Sequence, residues 1–139
     1  MIRARFLGLG LALASLAVSA YLTVVHYADP GLLLCASGGR VDCEAVTTSR
    51  WSEVFGLPVA LLGLVWSVGM TALFLPGMER SPRAVLARRV GAIAGMASVL
   101  WLVYVEFFLV GAVCLWCTVV HGCVFGLFVL TTTRADQPT

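Results

Sequence analysis

Four long stretches without a charged residue constrain this chain more than any other feature of its sequence. They cover residues 6–25, 54–78, 90–105 and 107–133. A helix of about 20 apolar residues crosses the hydrocarbon core of a bilayer, and a chain with 60% apolar and 12% charged residues lacks the polar surface of a soluble domain. We therefore predict a single-domain, all-α integral membrane protein folded as a four-helix bundle. Its transmembrane helices are placed near residues 6–26, 55–75, 90–109 and 113–133.

The distribution of arginine predicts how these helices are oriented. The chain has no lysine, and seven of its nine arginines fall at the two ends and in the middle loop: Arg3, Arg5, Arg80, Arg83, Arg88, Arg89 and Arg134. Positively charged residues in short loops are retained on the cytoplasmic side. We therefore expect cytoplasmic termini and a cytoplasmic loop 76–89. The loop 27–54, with a short interfacial helix, would then face outward, which for a bacterial inner membrane is an oxidising compartment.

The amino terminus permits a second interpretation. Arg3 and Arg5, the apolar run that follows and Val18-Ser19-Ala20 also resemble a cleaved signal peptide. The apolar pattern continues to Val25, which suits a full span better than the short core of a signal. Cleavage stays open, and either outcome leaves the predicted orientation of the loops unchanged.

Four of the five cysteines fall at the predicted outer surface. Cys35 and Cys43, with seven residues between them, lie in the outer loop and are called the loop pair. Cys114 and Cys117, called the helix pair, open the last predicted helix. Cys123 lies six residues beyond Cys117, inside the bilayer, and is interpreted as a small packing residue. Two cysteine pairs thus face one compartment.

The spacing of the helix pair indicates redox chemistry. Residues three apart share a helix face and can bridge, and the amino terminus of a helix stabilises a thiolate. Disulfide exchange needs a thiolate as nucleophile and leaving group, and so does electron transfer to a quinone. Trp116, between the two thiols, would keep the site apolar and contact the acceptor. The loop pair, with Gly38-Gly39 between its cysteines, can deliver a thiol to the helix pair, so the sequence predicts an electron relay.

Other readings of the cysteines stay open at this point. The loop pair can be a static disulfide that only fixes the loop, and the helix pair can be two buried thiols. Four sulfurs can also hold zinc or another soft metal in a binding or transport protein. Metal sites usually recruit histidine or carboxylate nearby, and only the distant His121 offers one, so we predict no metal site. A non-catalytic scaffold with structural disulfides is a further alternative.

An ordered set of motifs resembles the vitamin K epoxide reductase family, including its bacterial homologues. Cys43 is followed by Thr48-Ser49-Arg50-Trp51 and then by Phe55-Gly56-Leu57-Pro58, and a Cys-x-x-Cys opens the last helix. The resemblance extends from residue 6 to about residue 129. DsbB-type oxidases also have four spans and two cysteine pairs, but their Cys-x-x-Cys comes first. Here the tight pair comes last, so DsbB is the weaker match.

The resemblance implies roles for individual residues. Cys114 and Cys117 would be the quinone-facing pair, Cys35 and Cys43 the shuttle pair, and Ser49 a neighbour of the quinone. The animal enzymes place a tyrosine where this chain has His121, and an asparagine after the outer loop, whereas this chain contains no asparagine. The resemblance therefore favours ubiquinone or menaquinone over vitamin K epoxide as acceptor. Many bacterial relatives carry a fused thioredoxin-like domain, and because this chain stops at Thr139 we expect a separate thioredoxin-like thiol protein as donor.

Three kinds of residue complete the predicted site. His121 can donate a hydrogen bond to a quinone carbonyl or bond to a neighbouring helix. Glu106 can face the site and handle the protons released with the electrons, or it can reach the membrane interface, which we favour. Aromatic residues can wall a quinone pocket or form ordinary packing and an interfacial belt: Phe55, Trp66, Trp101, Tyr104, Phe107 and Phe108. The sequence thus predicts a membrane thiol oxidoreductase that passes electrons from a thiol protein to a quinone.

Overall fold

The structure, a computed structural model, describes residues 2–35 and 38–133 and is mostly helical. Its helices are α1 (Ile2–Ala28), α2 (Cys43–Thr47), α3 (Val59–Leu73), α4 (Pro82–Tyr104) and α5 (Leu115–Thr132). A hairpin of two short strands, β1 (Glu53–Val54) and β2 (Leu57–Pro58), precedes α3. Arg134, one of the arginines used for the orientation, lies outside the described residues.

The four long helices pack side by side around a common core. α1 contacts α3 and α5, and α4 contacts the same two helices from the other side. The buried residues at the centre come from all four helices: Ala12, Met70, Phe74, Ala92 and Leu127. Side chains of this kind supply packing contacts without polar groups, which is what a bundle in an apolar solvent requires.

Within the part of the chain that the structure describes, three helices are long and apolar enough to cross a membrane, so the chain is a multi-pass membrane protein. They are α1, α4 with its extension to Val110, and α5. α3 has 15 residues, which at 1.5 Å per residue is roughly 22 Å and shorter than the hydrocarbon core. That α3 makes a fourth crossing stays a prediction.

α3 begins at Val59 rather than near residue 55, because a tight hairpin intervenes. Phe55 and Gly56 form its two-residue turn, and both have positive φ, 53° and 80°. Two consecutive positive φ angles match the turn type whose twist suits paired antiparallel strands. Glu53 pairs with Pro58 across the hairpin, so the chain cannot become helical until it has left β2.

α4 begins eight residues earlier than predicted, at Pro82, which sits in the first helical turn where its missing N–H is not needed. Arg88 is therefore helical and not part of a loop. Its Nε donates to the Leu73 carbonyl oxygen at 2.9 Å, and its guanidinium lies 4.8 Å from the centre of the Phe74 ring. A cation at the carboxyl end of α3 satisfies carbonyl groups that have no helical partner.

The contact between Gly8 and Phe74 gives a test of this packing. A Cβ at Gly8 would collide with the buried Phe74 ring, whereas nothing lies within 4 Å of a Cβ at Gly10. Overpacking of a dense core costs about 1–3 kcal/mol. We expect Gly8→Ala to lower the thermal unfolding midpoint in detergent and Gly10→Ala to leave it unchanged or slightly raised. Equal midpoints for the two variants would contradict the packing of α1 on the end of α3.

Candidate active site

The loop pair forms a disulfide whose two sulfurs differ in depth. Cys35 and Cys43 are bonded, with their Cα atoms 6.1 Å apart. Cys43 opens α2, whose amino end is capped by Asp42 through a hydrogen bond from the Ala45 N–H. Cys43 is 2% exposed, whereas Cys35 is only partly buried. The loop pair therefore has an outer sulfur, at Cys35, and an inner one, at Cys43.

Backbone hydrogen bonds hold the loop beside the start of α5. The Val113 N–H donates to the Arg40 carbonyl oxygen at 2.7 Å, and the Asp42 N–H donates to the Val113 carbonyl oxygen at 3.0 Å. The Leu115 N–H in turn donates to Cys43 Sγ at 3.3 Å. We call these three bonds the loop clamp. The clamp places the inner sulfur at the residue that directly follows Cys114.

The helix pair is formed by the first turn of α5. Cys114 is the N-cap, and its Sγ accepts a hydrogen bond from the Cys117 N–H at 3.2 Å. A hydrogen bond from the Cys117 thiol, helped by the backbone N–H groups of Cys117 and Trp116, lowers the pKa of Cys114 below that of an ordinary thiol. Both thiols are free, Cys114 fully buried and Cys117 half-buried. Cys114 is thus the better thiolate of the pair.

Cys117 opens onto a cavity of about 630 Å³ inside the bundle. Its wall on α5 consists of residues 117, 120, 121 and 124, which share one helix face. Cys114 lies outside the lining. The cavity has the size and mostly apolar wall typical of sites for small organic ligands.

The remaining walls combine small residues with three tryptophans. Gly63 and Gly95 let the cavity reach the backbones of α3 and α4. Trp51, Trp66 and Trp101 supply flat apolar surfaces, with the rings of Trp51 and Trp101 edge to face at 6.2 Å. Flat walls of this kind suit a planar ring.

The comparison with known families matches nearly the whole chain. The model of the vitamin K epoxide reductase family matches residues 6–132. The chain belongs to this family. Among curated proteins, it is 28% identical to vitamin K epoxide reductase complex subunit 1 of Rattus norvegicus over 145 aligned residues, covering 94% of this chain and 90% of the rat protein. Membership of the vitamin K epoxide reductase family identifies the chain as a membrane oxidoreductase and confirms the resemblance noted in the sequence.

Several predicted site residues of this family member come together at the cavity. Cys117, Ser49 and His121 all line it. Ser49 follows α2, and its hydroxyl donates to the Val46 carbonyl oxygen at 2.8 Å, which fixes the side chain at the edge of the cavity. Their roles toward a quinone stay predictions.

Phe55 and Trp116 were expected at the acceptor, and the structure brings neither to the cavity. Phe55 is fully exposed at the tip of the hairpin because the turn points its side chain outward. Trp116 precedes Cys117 and therefore faces away from the cavity side of α5. Its ring packs edge to face on Tyr21 at 5.3 Å, and its Nε1 donates to the Leu34 carbonyl oxygen. Trp116 thus anchors the loop instead of contacting an acceptor.

The structure adds residues to the site that the sequence analysis placed elsewhere or gave no role there. Glu106 lines the cavity and is 4% exposed, so it faces the site, and the favoured place at the membrane interface is wrong. Trp51 also lines the cavity, and the family motif that contains it was the available signal. His26, at the end of α1, lines the cavity too and lies 3.3 Å from a carboxylate oxygen of Glu53.

The four-sulfur metal site receives no support from the described residues. In residues 2–35 and 38–133, no three side chains of histidine, cysteine, aspartate or glutamate come together as ligands. Cys35 and Cys43 are joined to each other, and a disulfide sulfur is not the thiolate that zinc binds.

The depth difference within the loop pair predicts unequal reactivity. After reduction of the loop disulfide, we expect a soluble maleimide to label Cys35 at least about tenfold faster than Cys43, because labelling of a buried thiol waits for local opening. Rates can be followed by mass spectrometry of peptides, with the buried Cys123 as an internal slow reference. Equal labelling of Cys35 and Cys43 would contradict the burial of Cys43 at the start of α2.

Proposed function

We propose that this protein oxidises the dithiol of a separate thioredoxin-like partner and passes the electrons through the loop pair and the helix pair to a membrane quinone. The observation that carries the proposal is the hydrogen bond from the Leu115 N–H to Cys43 Sγ. It puts one sulfur of the loop pair beside the helix pair, whose second thiol opens onto the cavity. Membership of an oxidoreductase family supports the same conclusion.

The side of the membrane follows from charge. The ends of α1 and α4 farthest from the cysteines carry Arg3, Arg5 and Arg83, and Arg80 lies just before α4. Arginine-rich ends stay cytoplasmic, so the cysteine end lies on the opposite side of the membrane. In a bacterium this is the outer side of the inner membrane. Disulfide formation is the sensible net reaction in that compartment.

The donor step uses the outer sulfur of the loop pair. A thiolate of the partner attacks Cys35, the Cys35–Cys43 bond breaks, and Cys43 leaves as a thiolate. The Leu115 N–H stabilises that thiolate, since it points at Cys43 Sγ from the amino end of α5. The partner's second thiol then displaces Cys35. The partner has gained a disulfide, and the loop pair holds two electrons and two protons as thiols.

The transfer step uses the inner sulfur. Cys43, as a thiolate, attacks Cys114 of the oxidised helix pair, and Cys117 leaves. Cys35 then attacks Cys43 and releases Cys114, so the loop disulfide is restored and the helix pair is reduced. The loop clamp keeps Cys43 near Cys114 throughout, which raises the effective concentration of the attacking thiolate.

The cavity supports a quinone as the final acceptor. The volume of about 630 Å³ falls in the range of small-molecule sites, and the tryptophan walls suit a planar ring. A bound quinone supplies a two-electron, two-proton acceptor. Ser49 and His121 would orient its carbonyl groups, and Cys117 is the thiol of the helix pair that lines the cavity.

The direct test is quinone reduction by purified protein with a reduced thioredoxin-like substrate. We expect the absorbance of a short-chain quinone to fall with wild type and with Cys123→Ala, whose cysteine is buried outside the cavity lining. Cys117→Ala should lose this activity. If wild type and Cys117→Ala reduce quinone equally slowly, the proposed function is wrong.

Vitamin K epoxide is the alternative substrate, because the rat relative is named for its reduction. The same assay, with vitamin K epoxide in place of the quinone, separates the two possibilities. We expect the quinone to be the faster substrate, since His121 occupies the position of the tyrosine expected in the animal enzymes. Faster reduction of vitamin K epoxide would favour the alternative.

The relay makes a second prediction, on covalent connectivity. In Cys117→Ala, the Cys114 thiolate has no partner on α5 and can attack Cys43, releasing Cys35 as a thiol. We expect a Cys43–Cys114 disulfide in this variant, detected by mass spectrometry of peptides prepared without reduction. Cys114→Ala/Cys117→Ala should keep the Cys35–Cys43 bond. Persistence of Cys35–Cys43 in the single variant would show that the loop disulfide is static.

A further inference from the structure

Among the described residues, the cavity lining contains one acidic side chain, Glu106. Glu106 is 4% exposed and lines the same cavity as Cys117. The other titratable side chains in the lining are His26 on α1 and His121 on α5. A carboxylate buried among apolar residues is costly unless it is paired or takes up a proton. The Glu106 carboxyl group, close to the helix pair, therefore needs either a hydrogen-bonding partner or a proton.

The backbone around Glu106 holds the carboxyl at the helix pair. From Val105 to Val110 the helix widens to π geometry, and the Gly111 N–H donates to the Glu106 carbonyl oxygen at 2.9 Å, five residues back. Gly111 then takes a left-handed conformation, φ 76°, and turns the chain back over the helix end. The turn thereby brings the Cys114 backbone N–H near enough to the Glu106 carboxyl group to interact with it. Isolated π turns occur frequently at functional sites.

We propose that Glu106 carries a proton from the helix pair to the bound quinone. This inference rests on the proposed function. When the helix pair is oxidised, two S–H bonds break, one S–S bond forms, and two electrons and two protons leave the sulfurs. The quinone takes up both electrons and both protons and becomes a hydroquinone. The Glu106 carboxylate takes one of the thiol protons and releases it to a quinone oxygen, so the carboxylate is regenerated in each cycle.

A purely structural role for Glu106 makes a different prediction from proton transfer. As a structural residue, the side chain would only interact with the Cys114 N–H through a carboxyl oxygen and so position the helix pair. The amide oxygen of glutamine can make the same interaction, but an amide does not take up a thiol proton. Glu106→Gln therefore keeps the positioning contact and removes the proton carrier.

The kinetic test compares wild type, Glu106→Gln and Glu44→Gln in the quinone assay. Glu44 is an exposed residue of α2 outside the cavity lining. We expect Glu106→Gln to reduce quinone about a hundredfold more slowly, the size of a typical acid–base contribution, and Glu44→Gln to match wild type. Thiol exchange between the loop pair and the helix pair, measured without quinone, should be unchanged in both variants. A wild-type rate in Glu106→Gln would overturn the proton-carrier role while leaving the proposed function standing.

A spectroscopic test follows the carboxyl group itself during a single turnover. Time-resolved infrared spectra recorded after reduced protein is mixed with quinone should contain a transient band of a protonated carboxyl group. The band should be absent from Glu106→Gln and present in Glu44→Gln. A band unchanged in Glu106→Gln, or none in wild type, would contradict the proposal. If wild type itself fails to reduce quinone, the failure belongs to the proposed function and withdraws both claims.

Discussion

The loop clamp is the contact on which the site depends. Its backbone bonds pair the segment around Val41 with Val113, just before the helix pair, and its last bond joins Cys43 Sγ to the Leu115 N–H. One sulfur of a loop is thereby fixed against the amino end of a helix, where the backbone N–H groups stabilise a thiolate. The same clamp carries α2 and Ser49 over the end of the cavity. Three hydrogen bonds therefore bring the two cysteine pairs and the cavity together in one site.

In the rest of the bundle, several buried polar groups are paired with one another, and the reactive groups lie at the cysteine end. Polar groups inside a bilayer need partners within the protein. Ser15 and Ser67 bond to each other at 2.8 Å, and Trp66 Nε1 donates to the Gly91 carbonyl oxygen at 2.9 Å. These pairs stabilise helix contacts and offer no reactive group. Glu106 and the helix pair, in contrast, gather at the cysteine end, where a cavity can accept a ligand.

The sequence predicted the features that depend on long-range composition. Long uncharged stretches located the helices to within a few residues for α1 and α5, and the family motif led to the cavity position of Ser49. Cys35 and Cys43 were foreseen as a pair because of their place in one outer loop. Such features can be predicted because the length of an apolar stretch and the spacing of cysteines do not depend on the details of side-chain packing.

The misjudged features depend on local backbone geometry. The hairpin at Phe55 and Gly56 delays the start of α3 and points the Phe55 side chain away from the cavity. The rotation of about 100° per helical residue turned Trp116 from the cavity to the loop, although its neighbour Cys117 lines the cavity. For Glu106, the π turn and the left-handed Gly111 bring the carboxyl inward. Regular helical periodicity, on which sequence reasoning relies, contains none of these shifts.

The central claim is that the loop pair and the helix pair act as one electron relay. The most direct test measures how many equivalents of quinone are reduced by protein whose two cysteine pairs have been reduced once. Fully reduced protein, freed from reductant without oxygen, should reduce two equivalents of quinone, one for each cysteine pair. Cys35→Ala/Cys43→Ala should reduce one equivalent. If wild type also reduces only one, the loop disulfide does not exchange with the helix pair and the relay is wrong.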